Sequence, residues 1–231
     1  MNVLHDAKSL YQLASKEFSI VQVEEEIIPF LEFVEAQHPQ VVGEIGVRFG
    51  GNTFMFSRLF QNARRLFGLD IELRNVERLL YLAPAQIRMQ FLEGSSYDPA
   101  TVATVSRSLG ADRFDFLFID GDHEYDGALA DFLCYYDMVR PGGIIAFHDI
   151  VPDEFAKTGK RTSGATLYGG GVYKVWENLK GRFEHKEFVK SWDQGGFGIG
   201  VLIKPSADPL PADWVAHWKA AGLGYSTLPV A

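Results

Sequence analysis

The chain has 231 residues, 47% hydrophobic and 23% charged, which suits one large globular domain with a substantial core. A formal net charge of −8 argues against a nucleic-acid partner, and a single cysteine, Cys134, excludes an internal disulfide or a multi-cysteine zinc site. No stretch reaches the roughly 18 apolar residues of a membrane span, and the first residues lack a signal peptide's apolar run, so a cytoplasmic protein with no membrane contact is expected.

Residues 3–15 and 24–37 read as two helices, the second with Ile27, Phe30, Leu31 and Val34 at helical spacing and Pro29 tolerated near its first turn. From Gln40 onward, short apolar runs alternate with helical patterns. Val41–Gly46 precedes helix 52–62, Arg65–Asp70 precedes helix 74–83, and Gln86–Leu92 precedes helix 98–109. Phe114–Asp120 precedes helix 124–138, and Gly143–His148 precedes a long irregular stretch, 151–171, and helix 172–180. Near-continuous apolar strands separated by helices predict a parallel sheet covered on both faces. Phe183–Lys190 and Phe197–Lys204, joined by Ser-Trp-Asp-Gln-Gly-Gly, read as a closing hairpin, and 211–219 as a last short helix. The expected fold is thus a doubly wound, Rossmann-like, mostly parallel seven-stranded sheet with an antiparallel last strand. A helical cap (1–38), a main domain (39–205) and a C-terminal extension (206–231) complete the expected organisation. The two N-terminal helices could cover the site or a partner subunit, so a homo-oligomer stays open.

In open α/β sheets ligands bind beyond the carboxyl ends of the strands. The polar and glycine residues gather at those ends. Glu44-Ile-Gly46-Val-Arg-Phe-Gly50-Gly51 follows the first strand, with a glycine spacing unlike the Gly-x-Gly-x-x-Gly of dinucleotide enzymes. Asp70 closes the second strand, 24 residues after Gly46, near the spacing at which a carboxylate accepts both ribose hydroxyls; a helix cap is the other reading. Gly94-Ser95-Ser96 follows the third, as an adenine-edge loop or a plain turn. Asp120-Gly-Asp-His123 follows the fourth and His148-Asp149 the fifth. Asp120 could contact a cofactor or cap a helix, Asp149 could be a turn residue, and His123 a solvated helix start.

From about Val41 to Lys204 the chain resembles a class I S-adenosylmethionine-dependent methyltransferase. Phe-Ile-Asp-Gly-Asp-His-Glu-Tyr at 118–125 and Arg-Pro-Gly-Gly-Ile-Ile-Ala-Phe-His-Asp at 140–149 are similar to a narrower group, the small bacterial sugar and natural-product O-methyltransferases and the cephalosporin-hydroxylase-like proteins. The resemblance implies that Glu44, Gly46 and Gly50 form the loop on the cofactor's methionine side, that Asp70 holds its ribose, and that Ser95 and Asp120 also contact it. It implies that Asp120 and Asp149 ligate a divalent cation such as Mg²⁺, and that His123 is the general base. His148 departs from the pattern; its imidazole could ligate a softer ion such as Mn²⁺ or Fe²⁺, bind substrate or pack on the loop.

The function expected is methyl transfer to a hydroxyl of a small molecule. The alternatives are a metal-dependent hydroxylase on the same fold and a non-catalytic S-adenosylmethionine-binding protein. Residues 151–171, with Lys157, Lys160 and Arg161, read as a lid over an anionic acceptor or as a solvated loop.

Overall fold

The structure, a computed structural model, describes residues 6–160 and 169–206. Two helices open it, α1 (Ala7–Phe18) and α2 (Glu24–Glu35). Asp6 caps α1 by accepting the Ser9 amide at 2.8 Å, and the helix ends where Ser19 turns left-handed. The helix α2 starts at Glu24, as expected, so Pro29 is its sixth residue, just past the first turn, where its ring removes a hydrogen bond to the Glu25 carbonyl. Tertiary packing offsets that loss. Phe30 is fully buried, its ring 5.6–5.8 Å from those of Phe116, Phe118 and Phe188, and truncating such a residue to alanine costs about 3–5 kcal/mol.

Strands and helices then alternate: β1 (Val41–Ile45), α3 (Gly51–Leu59), β2 (Arg65–Asp70), α4 (Val76–Leu82), β3 (Arg88–Glu93), α5 (Pro99–Leu109), β4 (Phe114–Ile119), α6 (Tyr125–Tyr135) and β5 (Val139–His148). After these come α7 (Glu154–Thr158), α8 (Val172–Lys180), β6 (Glu184–Phe188) and β7 (Ile199–Ile203). The strands form one seven-stranded sheet in the order β3-β2-β1-β4-β5-β7-β6. The first five are parallel, and β7 runs antiparallel to both β5 and β6. One face packs on α5, α6 and α8 through residues such as Val105, Phe132 and Trp176; the other packs on α1, α2 and α3 through Leu10, Phe30 and Phe56.

This is the doubly wound architecture the alternating pattern predicts. The element ends differ for local reasons. Helix 74–83 shortens because Asn75 is left-handed and Ala83, which precedes Pro84, is extended. The fifth strand begins at Val139, before the expected Gly143, its pairing with β4 shifting register between Phe114 and Phe116. The five-residue helix α7 lies inside a stretch expected to be irregular. The expected helix 211–219 lies outside the described residues. Among the described residues, no helix is long and apolar enough to cross a membrane.

Candidate active site

Strand order reverses between β1 and β4, and a doubly wound sheet opens its crevice at such a point. A cleft of ≈ 640 Å³ lies there, within the range of small-molecule sites. Gly46, Asp70, Ser95, Asp120, His123, His148 and Asp149 all line it. A smaller cavity of ≈ 120 Å³, beside α5, holds none of these residues.

The turn after β1 is shaped by its neighbours. Gly46 has φ +92°, and a Cβ there would lie 2.0 Å from the Asp120 carbonyl oxygen, so only glycine lets β1 and β4 end this close together. The Asp120 amide donates to the Ile45 carbonyl, and the Gly46 amide to that of Leu69, both at 2.8 Å, which joins three strand ends. Asp70 accepts the Arg48 amide through Oδ2 at 2.6 Å and the Glu72 amide through Oδ1 at 2.9 Å. Each carboxylate oxygen keeps accepting capacity for a further donor.

Two residues of the glycine turn do not line the cleft. Glu44 is buried beneath it, accepting the Thr53 hydroxyl, and burial pushes its carboxyl well above the ordinary range. Gly50 caps α3 at φ +88°, with Leu79 filling the space a Cβ would need, and the neighbouring Gly51 and Asn52 face the cleft instead.

At the ends of β4 and β5, Asp120, His123 and Asp149 each offer one ligand atom, all within 4.8 Å of one another. His123 Nδ1 lies 3.2 Å from Asp149 Oδ2, and its Nε2 lies 3.6 Å from Asp120 Oδ1. His148 Nδ1 lies 3.2 Å from Asp120 Oδ1 and 3.4 Å from Asp149 Oδ2. These distances permit charge pairing, but neither contact has hydrogen-bond geometry, and both His148 ring nitrogens are buried without a hydrogen bond. Burial opposes a proton on His148, yet the carboxylates of Asp120 and Asp149 outweigh it and hold the imidazole's pKa well above its ordinary value. Reciprocally, burial raises the Asp120 carboxyl, but His148 and His123 more than offset this and hold it well below the usual range. Asp149 itself is left-handed, at φ +63°, a strained conformation for an aspartate, and its Oδ1 accepts the Phe197 amide at 2.9 Å.

Several cleft residues escaped the sequence reading. Gln22, between α1 and α2, donates from Nε2 to Asp120 Oδ2 at 3.1 Å. Residues 18–22 close one wall, and Gly195, Gly196 and Phe197 close another. Tyr97 lines the cleft and donates to Asp122 Oδ2 at 3.0 Å. Gly195 and Gly196 carried a signal, but they read only as the end of a hairpin connection, and Phe197 and Gly198 as the start of a strand that in fact begins at Ile199; Gln22 carried none. Residues 161–168 of the supposed lid lie outside the described residues, Arg161 among them. The flanking parts are tied down: Asp153 caps α7 through the Ala156 amide and accepts the Gly169 amide at 3.0 Å, while Lys157 Nζ donates to the Gln194 carbonyl.

The family profile described as rhamnosyl O-methyltransferase/CmcI matches residues 8–189. Erythromycin 3''-O-methyltransferase of Saccharopolyspora erythraea is 24% identical over 187 residues, 76% of this chain and 56% of that protein. Among solved structures, the MycE methyltransferase of the mycinamycin biosynthetic pathway, in complex with Mg and SAH, superposes with a TM-score of 0.58 at 18% identity, covering 88% of this chain and 57% of that one. The O-methyltransferase TomG of Streptomyces achromogenes, in complex with SAM, gives 0.58 at 19% identity, covering 88% and 92%. The structural likenesses, at these identities, are of fold, and the chain spans little more than half the length of the erythromycin and mycinamycin enzymes. With a profile match over most of its length, the chain belongs to the rhamnosyl O-methyltransferase/CmcI family.

Proposed function

We propose that the protein is an S-adenosylmethionine-dependent O-methyltransferase acting on a hydroxyl of a small molecule, a sugar or natural-product intermediate, with help from a divalent cation. The observation that carries this reading is the meeting of Gly46, Asp70 and the Asp120–His123–Asp149 group in one cleft. The residues suit both groups. A left-handed glycine turn bares backbone to the cofactor, and Asp70 retains acceptor capacity for ribose hydroxyls. Ser95 and Asp120 also line this cleft, Ser95 as the residue that would meet the adenine edge and Asp120 as one that would meet both cofactor and cation. The two carboxylates are hard oxygen donors, and with an imidazole beside them they leave coordination positions for water or an acceptor hydroxyl.

S-Adenosylmethionine supplies an activated methyl with its own leaving group, and a divalent cation supplies Lewis acidity toward the acceptor hydroxyl. The protein's work is placement and proton removal. Asp120 and Asp149 would hold the cation, and His123, beside both carboxylates, would take the hydroxyl proton, a role that suits an imidazole near neutrality. His148 remains in the ligand set as the neighbour that touches both carboxylates. Glu44 and Gly50 support the cofactor turn from below. Helices α1 and α2, within the expected cap 1–38, cover the site, the linker between them closing the cleft, over a main domain of 39–205; the expected extension 206–231 lies, but for Ser206, outside the described residues, and the enzyme is read as cytoplasmic with no nucleic-acid partner.

The hydroxylase alternative fits the donor set less well. A non-haem iron site of that kind uses two imidazoles and one carboxylate, whereas the three ligand atoms that converge within 4.8 Å of one another belong to Asp120, His123 and Asp149, with the His148 imidazole beside both carboxylates. Incubation with isotopically methyl-labelled S-adenosylmethionine, Mg²⁺ and a panel of free and glycosidic sugars tests the proposal. A labelled methyl ether formed one-for-one with S-adenosylhomocysteine is the expected product. Cofactor binding with no transfer to any hydroxyl compound in the panel would favour the non-catalytic alternative.

A further inference from the structure

The tight turn leading into β7 holds three consecutive left-handed residues, Gly196, Phe197 and Gly198, with φ of 88°, 64° and 81°. Phenylalanine adopts that region only where its surroundings over-determine it. The determinant is on α2, far away in sequence. Glu26 is 1% exposed, and its carboxylate accepts three donors from this hairpin: the Lys190 amide at 2.9 Å and Gln194 Nε2 at 2.6 Å on Oε1, and the Gly198 amide at 2.8 Å on Oε2. Gln194 Nε2 also donates to the Gly196 carbonyl at 3.0 Å. The turn so held grips the end of β5. The Phe197 amide donates to Asp149 Oδ1, and the Phe197 and Gly198 carbonyls accept the Val151 and Ile150 amides at 2.9 and 3.3 Å.

We infer that Glu26 is a positioning residue for Asp149: through Gln194 and Gly198 it locks the left-handed turn whose Phe197 amide aims the cation-binding carboxylate. This inference rests on the reading of Asp120 and Asp149 as cation ligands. It explains why a buried carboxylate sits on an otherwise apolar helix face, beside Ile27 and Phe30. It also makes α2 part of the ion site, although no residue of α2 lines the cleft.

Mn²⁺ binding, followed by the electron-spin resonance of the free ion, and S-adenosylhomocysteine binding, followed by calorimetry, test the inference in the full-length protein. Glu26→Gln keeps the side chain's size but turns an amide NH₂ toward donors. It should weaken Mn²⁺ binding about tenfold, the usual scale for a partner that orients a metal ligand, and leave S-adenosylhomocysteine affinity unchanged. Gln194→Ala, at a half-buried hairpin position that presents little folding risk, should shift Mn²⁺ affinity in the same direction by less. Glu25→Ala, which cuts only the exposed Lys190–Glu25 pair, should change neither. Unchanged Mn²⁺ affinity in both Glu26→Gln and Gln194→Ala would overturn the inference. So would a parallel loss of both ligands that tracks the melting temperature, since that is what a fold-stabilising residue gives. Failure of the wild-type protein to bind Mn²⁺ would instead remove the ion site itself.

Discussion

Asp131 gives the sharpest test of how burial and charge are balanced beneath the cleft. It lies on α6, fully buried, its Oδ2 close under the Gly121 backbone, and neither carboxylate oxygen makes a hydrogen bond. Burial pushes its carboxyl up to about 7; Ser96 and the Asp122 amide lie near enough to temper the rise without reaching hydrogen-bond geometry. An unfolded aspartate titrates at about 3.9. Between those values the folded chain keeps a proton that the unfolded chain has lost, so stability falls as pH rises, by ~1.4 kcal/mol per unit, and levels off above about 7. Asp131→Asn removes the titration. Relative to this variant, the wild-type protein should lose roughly 2–3 kcal/mol between about pH 5 and pH 8. Urea denaturation of both proteins across that interval measures it. Parallel stability curves would refute the reasoning and show that Asp131 is ionised comfortably in the fold.

Three further outcomes follow from the site. Asp70→Ala removes the carboxylate proposed to take the ribose hydroxyls and should weaken cofactor binding by roughly 1.5–3 kcal/mol, read by calorimetry, with metal affinity intact; an unchanged affinity would move the ribose elsewhere. Asp120→Ala and Asp149→Ala should each abolish metal-stimulated turnover while Asp149→Ala spares cofactor affinity; retained stimulation would refute the ion's role. Gly46→Ala places a Cβ 2.0 Å from the Asp120 carbonyl at a positive φ. It should lower stability by at least about 1–3 kcal/mol and disturb the cofactor turn, and a variant as stable as wild type by thermal melting would contradict the close approach of β1 and β4.

Much of the fold was legible because the central strands β1, β2 and β4 are buried on both faces and the crossovers between the parallel strands keep helical spacing. Val42, Phe116 and Phe118 face α2 and α3, while Ile45, Leu117 and Ile119 face α5 and α6, and such two-sided burial writes itself as an unbroken apolar run. The approximate place of the site followed from the same pattern, since the strand ends carry the glycines and acids. Contacts across long sequence separations left no local trace. Gln22 reaches Asp120 across 98 residues, and Glu26 reaches Gly198 across 172. Position alone also misled about depth. Glu44 and Gly50 belong to the right turn, but strand alternation sends the Glu44 side chain toward α3 and the cap geometry turns Gly50 toward Leu79. His148 read as a departure from the family pattern; one of its carboxylate neighbours, Asp149, is the next residue, but the other, Asp120, comes from the end of another strand and left no local trace.

Calorimetric titration of S-adenosylmethionine into the wild-type protein, with and without Mg²⁺, tests the central claim most directly. One cofactor per chain should bind, with Asp70→Ala weakening it and Mg²⁺ adding a separate, Asp149-dependent signal. No heat of binding at millimolar cofactor, under either condition, would mean that the cleft between β1 and β4 serves some other ligand.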